Sequence, residues 1–259
     1  MNITKRKVAL SIAGSDPSGG AGIQADLKVF TILGVYGMAI PAALTAQSTK
    51  GVSAVKEIPP VFMEAQLEAL LSDIKPDAVK TGMLLTARTV SIVAGAVKRY
   101  RLRNLVIDPV MVSSSGKRLL KKDALDALTE RLLPLAALVT PNIDEAKLLT
   151  GMEIETVEDM EEAAKRIRKL GAKAVLVKGG HIEGDAVDVL YDGFGFWRFT
   201  AKRTAGVSIH GAGCVYSAAI TAGLAKGMPL AGSVEAAKKF VTKAIKKAAP
   251  VGHGRVPLV

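Results

Sequence analysis

Apolar positions along this chain switch repeatedly between two spacings. Short runs of consecutive aliphatic residues alternate with longer stretches in which every third or fourth position is apolar. Val8–Ile12 reads as a buried strand, followed by a loop and a helix over Gly22–Leu33. Strands are predicted over Tyr36–Thr45 and Val52–Ile58, and a helix over Val61–Ile74 gathers Phe62, Leu67, Leu70, Leu71 and Ile74 on one side. Asp77–Lys80 and Leu105–Val110 are short buried runs separated by a helix over Ala87–Tyr100. Ala124–Leu133, Ala136–Thr140, Asn142–Leu149 and Glu158–Leu170 carry the alternation into a strand at Ala174–Lys178. Asp188–Tyr191 and Gly195–Thr200 flank Asp192-Gly193 as a hairpin, and helices over Ala212–Lys226 and Ser233–Ala249 follow.

This alternation, with near-continuous apolar strands, predicts an α/β fold: a mostly parallel central sheet with helices on both faces and a short antiparallel edge. No linker, repeat or low-complexity segment divides the chain, so a single domain over residues 1–259 is expected. In such sheets ligands lie beyond the carboxyl ends of the strands, which directs attention to the loops that follow them.

Composition narrows the function. Of 259 residues, 49% are hydrophobic and 23% charged, which excludes wholesale disorder. No stretch approaches the roughly 18 apolar residues of a membrane span, and the run Val8–Ala13 after Lys5-Arg6-Lys7 is too short for a secretory signal. One cysteine excludes an intrachain disulfide and any multi-cysteine metal site, and a cytoplasmic location is expected. The net charge of +11 invites a nucleic-acid reading, but most of the excess sits at the two ends. In the last helix Lys238, Lys239, Lys243, Lys246 and Lys247 alternate with Phe240, Val241, Ala244 and Ile245, the pattern of a solvated face over a core stripe. Aromatics are only 4%, with no basic-aromatic cluster for stacking bases, so neither nucleic acid nor membrane is expected as a partner. An anionic small ligand suits the charge equally well.

Three groups of loops carry candidate chemistry. Residues 14–22, Gly-Ser-Asp-Pro-Ser-Gly-Gly-Ala-Gly, follow the first strand and open a helix. Gly20 to Ala25 matches G-x-G-x-x-G/A, but the loop is long, contains Pro17, and the next strand ends without an acid to hold a ribose, which argues against a dehydrogenase. An ordinary helix-entry loop explains the glycines but not Asp16 and Asp26 on either side of them. Gly211-Ala212-Gly213-Cys214 opens an apolar helix and leaves outward-pointing N–H groups, an anion site, with Cys214 where the helix dipole favours thiolate. Cys214 packed at a helix start, or paired with His210 in a thiol enzyme, are the competing readings. No Gly-Lys-Ser/Thr follows any glycine run, so no Walker A loop is present. Finally, Asp108 and Thr140-Pro141-Asn142 close strands, with Asp144 and Glu145 in the next helix. An acid after a strand with Asn-x-x-Glu can hold hydrated magnesium, while Asn142 and Glu145 equally make a helix cap. Lys178-Gly179-Gly180-His181 adds an amine at the same rim. An anion hole, a base, magnesium acids and a lysine together fit phosphoryl transfer.

These blocks also carry a resemblance along essentially the whole chain. Residues 13–28 (Ala-Gly-Ser-Asp-Pro-Ser-Gly-Gly-Ala-Gly-Ile-Gln-Ala-Asp-Leu-Lys), Thr-Ala-Gln-Ser-Thr-Lys-Gly-Val (45–52), Lys-Thr-Gly-Met-Leu (80–84), Asp-Pro-Val-Met (108–111), Thr-Pro-Asn-Ile-Asp-Glu-Ala (140–146), Val-Lys-Gly-Gly-His (177–181), His-Gly-Ala-Gly-Cys (210–214) and Gly-His-Gly (252–254) resemble the hydroxymethylpyrimidine/phosphomethylpyrimidine kinases of thiamin biosynthesis, in the ribokinase-like superfamily. The resemblance implies ATP-dependent phosphorylation of 4-amino-5-hydroxymethyl-2-methylpyrimidine and then of its monophosphate. It implies Cys214 as base, with the N–H groups of Gly211, Ala212, Gly213 and Cys214 holding the transferring phosphoryl. By the same resemblance Asn142 and Lys178 meet the ATP phosphates, and Asp108 and Glu145 serve Mg2+, with room for a monovalent cation. The pyrimidine pocket maps to Gly14, Ala21, Asp26, Gln47, Met83 and Val110, with Gln47 reading the ring edge, and a homodimer is expected. Ala212 and Val215 stand where the family usually has threonine. Cysteine-type pyridoxal kinases share almost the whole pattern, so pyridoxal phosphorylation is the alternative activity. A non-catalytic binding protein is the competing class; it would need none of Cys214, Lys178, Glu145 and Asp108.

Overall fold

The computed structural model describes residues 6–111, 122–180, 184–203 and 208–259. Its main sheet has nine strands in the order β3-β2-β1-β4-β5-β6-β7-β8-β9. The centre is parallel: β2 (Tyr36–Ser48), β1 (Val8–Ser15), β4 (Ala78–Thr81), β5 (Leu105–Ile107), β6 (Leu138–Val139) and β7 (Val175–Gly179). Antiparallel strands border it, β3 (Gly51–Glu57) beside β2 and the hairpin β8 (Ala186–Tyr191) and β9 (Phe196–Ala201) beside β7. The expected mostly parallel sheet is present, with antiparallel strands at both edges where the sequence predicts one short antiparallel edge.

Alternation along each strand sorts the core into two layers. Leu10, Ile12, Val79, Leu105, Ile107, Val139, Val175 and Val177 face one layer, covered by α2 (Pro60–Leu71), α3 (Ala87–Arg99), α4 (Lys122–Ala127), α5 (Ile143–Thr150) and α6 (Val157–Lys169). Ala9, Ala78, Val106, Leu138, Leu176 and Leu190 face the other, covered by α1 (Gly22–Ile32), α7 (Ala212–Ala225) and α8 (Leu230–Lys247). Helix α7 lies between α1 and α8, and its residues from Val215 to Ala225 are all buried, which is why its sequence is apolar all round. Helix α8 keeps Lys239, Lys243 and Lys246 exposed over Val234, Ala237 and Val241. Lys238 departs from the solvated face expected of it and pairs with buried Asp188 at 2.7 Å.

Local departures from the predicted elements have local causes. The helix expected over Ala124–Leu133 is α-helical only to Ala127, widens to a π turn over Leu128–Leu132 and tightens to a 3-10 turn at Leu133–Leu135, where Pro134 has no N–H to continue it. Within the buried run Leu105–Val110 the strand ends at Ile107, and Asp108 closes it as expected. The hairpin turn is longer than Asp192-Gly193, with Asp192 Oδ1 accepting from the N–H groups of Phe194 and Gly195. Two residues of β10 (Ile209–His210) pair in parallel with β11 (Val256–Pro257), segments too short to show any periodicity. His181 lies outside the described residues.

Candidate active site

At the carboxyl ends of the parallel strands lies a cleft of about 880 Å³. Its walls come from the ends of β1 and β2, the loops after β4, β5 and β6, the Lys178–Gly180 turn and the start of α7. Gly14, Ala21, Gln47, Met83, Asp108, Val110, Asn142, Glu145, Lys178, Gly211, Ala212, Gly213 and Cys214 all line it. Tertiary structure therefore brings together every expected site residue except Asp26.

Gly211, the residue that caps the start of α7, lies in the left-handed region, φ 78°, where a side chain would collide with the Gly20 carbonyl. The first backbone bond of the turn runs from Val215 N–H to Gly211 O, so the N–H groups of Ala212, Gly213 and Cys214 have no partner within the helix. Lys178 Nζ lies beneath this turn, 3.3 Å from where a Cβ on Gly213 would stand. Four converging donors make an anion site that an isolated helix start would not.

Lys178 is held by Asp108, Nζ to Oδ1 at 2.8 Å, and Ser217 Oγ donates to Asp108 Oδ2 at 3.2 Å. Burial raises the Asp108 carboxyl, but the Lys178 and Lys80 ammonium groups outweigh it and hold the group below its ordinary value. Asn142 and Glu145 form a reciprocal cap: Asn142 Oδ1 accepts from Glu145 N–H and Glu145 Oε2 from Asn142 N–H, each at 2.8 Å. The capping reading is thus realised, yet Glu145 is also buried beside Asp108. Burial, opposed by Lys178 and reinforced by the Asp108 charge, pushes its carboxyl up to about 7. Among the described residues no cluster of three or more His, Cys, Asp or Glu side chains forms a metal cage. Two neighbouring carboxylates fit a magnesium ion that keeps its waters and takes oxygens from a bound phosphate.

Two expectations need correction. Asp26 is not a cleft residue: both its oxygens lie 2.7 Å from Lys80 Nζ, Ser11 Oγ donates to it at 2.6 Å, and neither Asp26 nor Lys80 has any exposed surface. Its partner is 54 residues away, so the pair is invisible to any local motif. Cys214 is half-buried at the cleft, but its thiol is not drawn down by the helix start. Burial pushes it up to about 11; Asp26 and Asp108 add to this, while Lys80 and the Gly22 N–H oppose it. Desolvation wins over the dipole here because the thiol sits in the wall rather than in water.

Asp16 and His210, 194 residues apart, meet at the cleft. Asp16 ties the first glycine loop, accepting from Ser18 N–H, Ser18 Oγ and Ala21 N–H. His210 Nε2 lies 2.8 Å from Asp16 Oδ2 and 3.0 Å from the Gln47 amide. Val215 is fully buried between helices, so the family threonine it replaces is missing from the core and not from the cleft.

A parallel sheet with such a cleft, opening on a helix start backed by a lysine–carboxylate pair, defines a phosphotransferase of the ribokinase-like class. The ADP complex of Bacillus subtilis pyridoxal kinase superposes with a TM-score of 0.90 at 43% identity, covering 98% of this chain and 96% of that one. Residues 16–259 match the phosphomethylpyrimidine kinase family model, and the chain belongs to that family. It is 49% identical over 255 residues to the hydroxymethylpyrimidine/phosphomethylpyrimidine kinase of Rhizobium meliloti, covering 97% of this chain and 96% of that protein. It is 50% identical to the thiamine biosynthesis bifunctional protein ThiED of Geobacter sulfurreducens; the match covers 98% of this chain but about half, 52%, of that longer relative.

Proposed function

We propose that residues 1–259 act as one kinase domain that transfers phosphoryl groups from ATP to 4-amino-5-hydroxymethyl-2-methylpyrimidine and then to its monophosphate. The observation that carries this is the assembly of the α7 start, Lys178, Asp108 and Gln47 around one cleft in a chain of this family. The pyrimidine lies between Gly14, Ala21, Met83 and Val110, its polar edge on Gln47, and directs the hydroxymethyl oxygen at the anion site.

Lys178 and the Asn142 amide hold the ATP phosphates in line with that oxygen. As the new O–P bond forms and the bond to the ADP oxygen breaks, charge spreads over the transferring group, and the N–H groups of Gly211, Ala212, Gly213 and Cys214 stabilise it without reorganising. The alcohol proton passes to the Cys214 sulfur. Asp108 and Glu145 would hold Mg2+, which would supply positive charge to offset that of the phosphates. Serine and threonine neighbours such as Ser217 and Thr140 keep Asp108 oriented.

Pyridoxal is the second substrate this reading allows, because the ADP complex of Bacillus subtilis pyridoxal kinase shares the fold at a TM-score of 0.90. The test is product analysis with magnesium–ATP and each alcohol separately, enzyme in excess. The pyrimidine is expected to reach the diphosphate, and accumulation of monophosphate alone would overturn the two-step assignment. Among the described residues no helix is long and apolar enough to cross a membrane.

A further inference from the structure

At one corner of the cleft the hydrogen-bond count selects one orientation of the Gln47 amide. Thr45 Oγ1 lies 2.8 Å from the Ser15 carbonyl and 3.2 Å from one end of the Gln47 amide. The other end lies 3.0 Å from His210 Nε2, which is 2.8 Å from Asp16 Oδ2. A hydroxyl has one hydrogen and a carbonyl only accepts, so Thr45 donates to Ser15 and offers Gln47 nothing but a lone pair. Asp16 also only accepts: burial raises its carboxyl, but the His210 and Ser18 hydrogen bonds outweigh burial and hold it below its ordinary value. His210 Nε2 therefore carries the hydrogen.

With the amide oxygen on Thr45 and the nitrogen on His210, the first contact has no hydrogen and the second sets donor against donor. Exchanging the two ends gives the Thr45 contact a hydrogen and removes the donor–donor clash at His210, since amide orientation follows from the network around it. Gln47 then gives an N–H to Thr45, and its carbonyl shares the single Nε2 hydrogen of His210 with Asp16 Oδ2, the nearer acceptor.

We propose that His210, fixed by Asp16, is a positioning residue that sets the polarity of the Gln47 amide and so the rotational orientation of the substrate ring. The proposal rests on the aminopyrimidine reading given above. Gln47 retains one N–H and one carbonyl lone pair for the cleft. An aminopyrimidine edge offers the complement, an amino N–H beside a ring nitrogen. Its amino group must then face the carbonyl on the His210 side and its ring nitrogen the N–H on the Thr45 side. A ring turned end for end meets donor with donor. The same residue reaches the transfer machinery: His210 immediately precedes Gly211, and Gly20, which has no side chain, lets the imidazole lie against the loop that Asp16 organises.

Two measurements test this. Nitrogen-15 NMR of the ligand-free protein reads the His210 ring directly, with only three histidines to assign. The expected result is a hydrogen on Nε2, whether the ring is neutral or doubly protonated; a neutral ring protonated on Nδ1 alone overturns the proposal whatever the enzyme turns over. In kinetics, His210→Leu is expected to raise the pyrimidine KM about tenfold or more, the worth of a mispaired polar contact, with the ATP KM changed less than about twofold. His210→Gln, which can place an N–H near Nε2, is expected to restore most of the loss. Because His210 acts through Gln47, adding His210→Leu to Gln47→Ala should change the pyrimidine KM by less than about twofold. Full additivity, or equal shifts for ATP and pyrimidine, would mean a merely structural role and would sink the idea. An Nε2-protonated ring in a wild-type enzyme that does not phosphorylate the pyrimidine would overturn the substrate reading instead.

Discussion

A thiol pushed up to about 11 is protonated at neutral pH, so a base role for Cys214 carries a signature in pH. The first transfer should quicken by about tenfold per pH unit through the neutral range, as the thiolate fraction grows toward the thiol pKa. Cys214→Asp puts an ionised carboxylate at the same place and should flatten that rise. Cys214→Ala should lower the first transfer by roughly 10²–10⁴-fold, the usual worth of a positioned base. The backbone donors at Gly211, Ala212 and Gly213 survive this change, so residual activity is expected. The second transfer starts from a phosphate oxygen that is already largely ionised above its pKa of about 6 and needs no base. Single-turnover assays on the two substrates should therefore show alanine harming the first step far more than the second. Equal losses, or near-wild-type turnover in a folded alanine variant, would end the assignment.

At the scale of elements, the buried pair between α1 and β4 explains why Asp26 and Lys80 stand where apolar residues would be expected. Lys80 is fully buried in a central strand, and Asp26 holds it through both oxygens. Their mutual attraction and the Ser11 hydroxyl offset part of the desolvation, and the lysine charge also opposes the upward push on Cys214. Lys80→Met alone strands a carboxylate in the core and should cost about 3–5 kcal/mol in urea unfolding. Lys80→Met with Asp26→Leu removes both charges and should recover much of that stability. A double variant no better than the single one would show that packing around the pair, and not its charge, holds α1 on the sheet. If stability returns but the Cys214 pH profile moves upward, the pair also tunes the thiol.

Considered as a whole molecule, the cleft draws on residues from Ala13 near one end of the described chain to Arg255 near the other. Strand β11 pairs with β10 directly before the α7 start, and Arg255 N–H bonds to Thr49 O beside the β2–β3 turn. A ligand in this cleft therefore braces elements that are distant in sequence. Magnesium–ATP with the pyrimidine alcohol should raise the unfolding temperature, approaching a stabilisation of about 2.7 kcal/mol for a ligand at a hundred times its Kd. The shift should grow with the logarithm of ligand concentration in a thermal-unfolding assay. Absence of any shift at saturating nucleotide would place the nucleotide outside this cleft.

Sequence alone determined the alternation of strands and helices, the loops that would carry chemistry, and the identity of most groups in them. Apolar periodicity and glycine placement are local properties, and Asp108, Asn142, Lys178 and Gly211–Cys214 each sit where a strand ends or a helix begins. What only the tertiary structure decided depends on partners remote in the chain. Asp26 reads as a cleft acid until Lys80, 54 residues on, takes both its oxygens. His210 reads only as a candidate thiol partner until Asp16 and Gln47, 194 and 163 residues away, meet at its Nε2. Cys214 reads as a thiolate from its place at a helix start, yet burial and the charges of Asp26 and Asp108 keep the proton on. A dipole is written in a few consecutive residues, whereas desolvation is a property of everything packed around them.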